Sequence, residues 1–332
     1  MAESPTTDKI DTGSLRYRPD AALVGVAMIW GLNIPIMKIG LDRIDPYVFN
    51  AIRLTLSTVV LAVCAQAERR YTVQLKPSVS GIHLLIYGIL ASGLYQLLFL
   101  LGIDRTTSGN TAMIMATVPM WTALLARVLI GERLIPLAWC GLIVALIGTA
   151  TVALQNADVT AGSAYLQGNL CVLGAALVWS AATVFSRPML TLISPLQLAA
   201  SAAVITWPLH LLFAVGRYEN SLSSLQSTDI WLIIAYAGIL SSGLALPMWN
   251  LGVRHAGAAH AAIIQNLIPI VAILAAWVWR NETASPTQIF GGGLILTGLV
   301  IMRSGRQIRH TKDASAAETV GSTVPRREQP PE

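Results

Sequence analysis

The stretch Val118–Gly148, VPMWTALLARVLIGERLIPLAWCGLIVALIG, returns 150 residues later as Ile268–Gly298, IPIVAILAAWVWRNETASPTQIFGGGLILTG. Each copy is two apolar runs joined by a short polar turn. Pro119 pairs with Pro269, Glu132 with Glu282, Pro136 with Pro286, Gly141 with Gly291 and Gly148 with Gly298. The register extends towards the N-terminus, where Gly88, Gly93 and Gly102 match Gly238, Gly243 and Gly252. After a one-residue slip, Trp30, Lys38 and Pro46 match Trp179, Arg187 and Pro195. Glycine, proline, glutamate and tryptophan do not coincide through shared hydrophobicity, so the chain is an internal duplication.

Composition places both copies in a membrane. Of 332 residues, 54% are hydrophobic and 12% charged, about half the charge of an ordinary soluble domain. Crossing the hydrocarbon core takes about 20 mostly apolar residues, and windows of that kind lie near 21–40, 46–66, 81–102, 108–129, 135–153, 168–188, 195–215, 229–252, 259–280 and 286–303. The expected fold is therefore all-α and integral to the membrane, with ten transmembrane helices around a central cavity. Residues 21–153 form the first repeat and 168–303 the second, between a disordered N-terminus (1–20) and a disordered tail (304–332). Five spans per copy is an odd number, so the copies must enter the bilayer from opposite sides as inverted repeats.

Assigning each Lys and Arg to its nearest loop puts 16 on the side of the N-terminus and 5 on the other, with Arg53 left inside a span. Cytoplasmic loops carry the excess of basic residues, so both termini are expected in the cytoplasm and the chain in the cell's inner membrane. The net charge of +5 comes from residues scattered singly at span ends, which is not a nucleic-acid footprint. Cys64, Cys140 and Cys171 lie in apolar segments without metal-ligand spacing, so they read as buried free thiols. Neither cofactor nor metal is expected.

Trp30-Gly31, Lys38, Pro46, Arg53, Gly131-Glu132, Gly141 and Gly148 stand in an order and spacing that resembles the EamA-type domain of the drug/metabolite transporter superfamily, with two copies over roughly 21–303. In the second copy Ser180 replaces Gly31, Ala202 stands opposite Arg53, and Asn281-Glu282 replaces Gly-Glu. The resemblance implies a ten-helix fold, a central substrate cavity and the movement of small metabolites, commonly outward. Inverted repeats suit alternating access, because the halves can exchange roles.

The residues singled out for substrate binding are mostly neutral: Trp30, Asn33, Tyr95, Gln96, Trp179, Asn250, His260, Gln265 and Asn266. Amides buried in a membrane need partners or water, which suggests a wet cavity, although helix-to-helix hydrogen bonds would also satisfy them. Gln265-Asn266 stands out because Met115-Ala116 occupies its place in the other copy. Arg53 reads either as an anion contact or, the reading favoured from sequence, as a structural Arg reaching headgroups or loop carbonyls. Glu132 and Glu282 precede Pro136 and Pro286, where a carboxylate caps a helix N-terminus. Pro119 and Pro269 read as hinges or ordinary kinks. The glycines of the fifth and tenth spans read as a seam between halves or as a homodimer face.

All seventeen Asp and Glu lie in tails, in loops or near span ends, so no carboxylate is available at mid-membrane to carry a proton. His210 or His260 would be the titrating group if transport is proton-coupled. The function expected is a secondary transporter, permease or exporter, for a small polar or zwitterionic metabolite such as an amino acid, with that molecule and the bilayer as partners. A broad exporter of amphipathic or aromatic compounds is the alternative. A membrane-embedded enzyme would need clustered acids, His or Cys, and the short loops offer isolated charges only.

Overall fold

The computed structural model describes residues 12–71, 79–130, 136–154, 164–302 and 304, and every regular element among them is helical. Helices result because apolar runs in hydrocarbon must satisfy their backbone groups internally. Eight helices are long and apolar enough to cross a membrane: α1 (Ala21–Leu41), α2 (Pro46–Arg70), α3 (Gly81–Arg105), α4 (Ser108–Leu129), α5 (Pro136–Ala153), α6 (Ala164–Met189), α7 (Pro195–Ala214) and α8 (Thr228–His255). Two further apolar helices are shorter, α9 (Leu267–Arg280) and α10 (Pro286–Met302).

The ninth expected span, 259–280, is not one helix. Helical backbone continues beyond α8 to Gln265, breaks at Asn266 and resumes as α9. In the first copy α4 breaks at the corresponding place, with Met115 ending one piece and Val118 beginning the next. Proline causes both breaks: it lacks an N–H, and its ring collides with the carbonyl four residues earlier. For Pro119 that residue is Met115, and for Pro269 it is Gln265. These prolines sit in the first turn of a new helix, so they are neither hinges within a continuous helix nor ordinary kinks.

The halves meet through contacts that recur with the halves exchanged. A Cβ on Gly88 would lie 3.5 Å from Ala202 Cα, and one on its repeat partner Gly238 would lie 2.5 Å from the carbonyl oxygen of Arg53, the partner of Ala202. A Cβ on Gly102 would lie 2.5 Å from Val172 Cγ2, and one on Gly252 2.3 Å from Leu23 Cδ2. A Cβ on Gly141 would lie 2.5 Å from Gly298 O, and one on Gly148 2.6 Å from Gly291 O. The α5 and α10 glycines are thus a seam inside the chain, where small residues let backbones touch. Gly31 meets Ile268 O at 3.0 Å, and Ser180 in its place donates its hydroxyl to Val118 O. The substitution of Ser for Gly keeps the same crossing.

Two π-helical turns interrupt the long helices at matching positions, Ile89–Leu94 in α3 and Tyr236–Leu244 in α8. Such bulges free backbone carbonyls from the helical ladder and gather at functional sites. Large apolar side chains such as Val128, Leu212, Trp277 and Phe290 cover the outer surface. The cysteines are free, but the expectation that they are buried fails: Cys140 is exposed and Cys64 and Cys171 are half-buried. All three face the rim of the helix bundle rather than its core.

Candidate functional site: a polar cavity between the halves

A cavity lies where the broken helices and the π turns meet. Its volume is about 70 Å³. Both halves line it in matched pairs: Trp30 with Trp179, Met115 with Gln265, and Ala91 with Ser241. The pairs show where the repeat symmetry is kept and where it is broken.

The aromatic wall is symmetric in origin. Trp30 and Trp179 meet edge to face with ring centres 5.6 Å apart, Tyr95 lies 4.9 Å from Trp179, and Trp249 packs behind Trp30 at 5.5 Å. The Trp30 indole N–H donates to Ser241 O, a carbonyl of the α8 π turn, at 3.0 Å. That bond fixes the ring against the bulge, since a buried indole N–H needs an acceptor.

The polar wall breaks the repeat symmetry. Arg53 is 1% exposed. It donates Nε–H to Asn50 Oδ1 at 3.0 Å, and its terminal nitrogens donate to Ser242 Oγ and Gln96 Oε1 at 2.8 Å each. The Asn50 amide is therefore oriented with its NH2 towards His210 Nδ1 at 3.1 Å, which makes Nδ1 an acceptor. His210 Nε2–H in turn donates to Ser92 O in the α3 π turn at 2.7 Å. The chain Arg53, Asn50, His210, Ser92 ties α2, α7 and α3 together, linking the guanidinium to the α3 π turn through an amide and an imidazole. Arg53 thus points into the protein, and the expectation that it reaches headgroups or loop carbonyls is overturned, because interior oxygens within reach satisfy it.

Of the other residues singled out from sequence, Asn33, Gln96, Gln265 and Pro269 line the cavity beside Trp30, Tyr95 and Trp179. Asn250 does not; it is buried, and its Nδ2 has no hydrogen-bond partner among the described residues. Asn266 is also absent from the lining. Neighbours on a helix point about 100° apart, and the chain breaks between Gln265 and α9, so the pair separates. The His260 side chain and Glu132 lie outside the described residues. Ser241 and Ser242 were missed, although Ser-Ser-Gly standing in register with Ala91-Ser92-Gly93 marks them in the sequence.

Glu282 does bind a helix N-terminus, but not the one it precedes. Its carboxylate accepts the Ser108 N–H that opens α4, at 3.1 Å, and is held by Arg280 Nε at 2.5 Å. Arg280 also pairs with Asp42 at 2.7 Å. The N-terminus of α10 is closed instead by a reciprocal box, in which Ser285 Oγ accepts Gln288 N–H and Gln288 Oε1 accepts Ser285 N–H.

Two copies of the EamA-like transporter family pattern match the chain, at residues 18–154 and 166–304. The chain belongs to the EamA-like transporter family. This EamA-like transporter is 27% identical over 300 residues to a probable terminal-alkyne amino-acid exporter of Streptantibioticus cattleyicolor, covering 89% of this chain and 96% of that one. It is 25% identical over 299 residues to a probable amino-acid metabolite efflux pump of Salmonella typhimurium, covering 87% and 96%. One solved crystal structure shares the fold with a TM-score of 0.61 at 18% identity, over 87% of this chain and 98% of that one. The protein is thus a multi-pass membrane permease or exporter.

Proposed function

We propose that this transporter moves a small polar or zwitterionic metabolite, an amino acid in the first instance, out of the cell through the cavity between its halves by alternating access. The observation that carries the proposal is the cavity itself, built from matched residues of both copies around Trp30 and Trp179, with polar groups from each copy that the other does not repeat, such as Arg53 and Gln265. A pocket shared by two similar halves is one that either half can close. The reading also has all ten apolar helices crossing the inner membrane as inverted five-helix repeats, with both termini cytoplasmic. The names of the two amino-acid exporters among its relatives favour amino acids.

The test is counterflow. Liposomes holding purified protein and a high internal concentration of one unlabelled amino acid should accumulate that amino acid in labelled form, for at least one of the twenty common L-amino acids. Failure for all of them with monodisperse protein refutes the amino-acid reading. Accumulation of many unrelated amphipathic compounds instead would favour the broad exporter, for which the Trp30, Trp179, Trp249 and Tyr95 cluster is the supporting feature.

A further inference from the structure

Among the described residues the cavity is lined by one cation and by no Asp or Glu, and Arg53 is paired there only with neutral oxygens. A guanidinium has five N–H donors and stays charged at every physiological pH. With three donors used, each terminal nitrogen of Arg53 keeps one N–H that has no partner among the described residues. Free N–H groups on a guanidinium are donors that a carboxylate accepts.

A second group of cavity residues has the opposite character. The Trp30, Trp179 and Tyr95 rings form an aromatic wall, and Asn33, one helical turn beyond Trp30, is 5% exposed with its Oδ1 unpartnered. The other end of that amide is occupied, donating to Met37 Sδ at 3.1 Å. A buried acceptor left open costs free energy until a donor reaches it. Aromatic faces and a neutral oxygen are the means of holding an ammonium without a carboxylate.

We propose that the substrate is an α-amino carboxylate whose carboxylate sits on the two spare N–H groups of Arg53 and whose ammonium sits against Trp30, Trp179 and Asn33 Oδ1. This rests on the reading of the cavity as the transport site and names the chemistry it selects. The substrate supplies the negative charge the buried Arg lacks and the donor the buried Asn lacks. Both poles are needed, and because the zwitterion carries no net charge, binding leaves the net charge of the cavity unchanged.

The test uses purified full-length protein and ligand-dependent thermal stabilisation, since a ligand of the folded state alone raises the melting temperature by mass action. The twenty common L-amino acids are the first probes. For each that stabilises the wild type, its carboxamide and its des-amino acid follow. Losing either pole should weaken apparent affinity by about ten- to hundredfold. Arg53→Gln should weaken the amino acid by a similar factor and leave its carboxamide bound as in the wild type, so retained carboxamide binding certifies the variant's fold. A carboxamide that binds wild type as tightly as the amino acid, while the amino acid is still carried in counterflow, overturns the carboxylate contact and leaves the transport reading standing. A des-amino acid that binds as tightly overturns the ammonium contact. If no amino acid stabilises the protein or is carried, the amino-acid reading of the transport site falls and takes this proposal with it. The analogue series on wild type decides the matter even where Arg53→Gln does not fold.

Discussion

Replacing Gly291, Gly292 and Gly293 one at a time by Ala should give three different results from three adjacent positions. A Cβ on Gly291 would lie 2.7 Å from Val152 Cγ2 and 3.0 Å from Gly148 O. It falls about 0.7 Å short of the 3.4 Å at which ordinary contact begins, against a backbone of α5 that is itself held by the seam. Overpacking of that kind costs about 1–3 kcal/mol, offset by the roughly 0.5–1 kcal/mol that Ala gains over Gly in a helix, so the net loss is about 0.5–2 kcal/mol. A Cβ on Gly292 meets only the Met113 thioether end, at 2.5 Å. That side chain has three rotatable bonds and can swing aside, so the two effects nearly cancel. Gly293 has nothing within 4 Å, so Ala there should stabilise by about 0.5–1 kcal/mol. Heating detergent-purified protein in steps and measuring the surviving monodisperse peak ranks the variants: Gly293→Ala above wild type, Gly292→Ala beside it, Gly291→Ala below. If Gly293→Ala melts as low as Gly291→Ala, the α5–α10 packing described above is wrong.

Ser285→Ala removes the hydroxyl from the Ser285–Gln288 box and should cost about 1 kcal/mol, read as a lower melting temperature. Ser304→Ala, at an exposed hydroxyl, should leave stability unchanged in the same melt. His210→Leu strands the Asn50 NH2 and the Ser92 carbonyl, at about 1–3 kcal/mol, whereas His210→Gln can still serve one of them and should melt between the two. Because His210 Nδ1 accepts from Asn50, a proton there would face an NH2. Flux measured in His210→Gln from pH 6 to 8 should follow the wild-type profile, and a lost profile would make His210 a proton carrier after all.

Much of the architecture was legible because it is written in residue types that packing requires. Gly141, Gly148, Gly291 and Gly298 match across the repeat since each meets backbone of the other half, and Trp30 matches Trp179 since each walls the same cavity. The break before α9 was not legible in an apolar count: 259–280 is continuous in hydropathy, and only the collision of Pro269 with Gln265 ends the helix. The direction of Arg53 was hidden for a related reason. One charge in a span can reach outwards or inwards, and the outcome depends on Asn50, Gln96 and Ser242, which are scattered over three helices. Glu282 misled because a carboxylate next to one helix start was geometrically closer to another, that of α4 in the other half.

The same comparison explains why the polar network, which draws Asn50, Arg53 and Gln96 from the first copy and His210 and Ser242 from the second, has no counterpart at the exchanged positions. Ala199, Ala202 and Leu246 occupy the repeat positions of Asn50, Arg53 and Gln96, and Leu61 occupies that of His210. A polar group buried in a bilayer is stable only when its donors and acceptors are met, so a lone Asn or Arg in the second copy would be a burden. Members of such a network must arise together or be lost together. Packing imposes no such condition: a glycine that lets one helix cross another is as useful in either half, since each half needs the same crossing. The duplicated skeleton therefore keeps its Gly, Pro and Trp in both copies, while Arg53 and its acceptors form a single connected cluster that reaches both π turns through Ser242 and Ser92. A symmetric frame with one polar wall can rock about its middle and still present its bound molecule with only one orientation of charge.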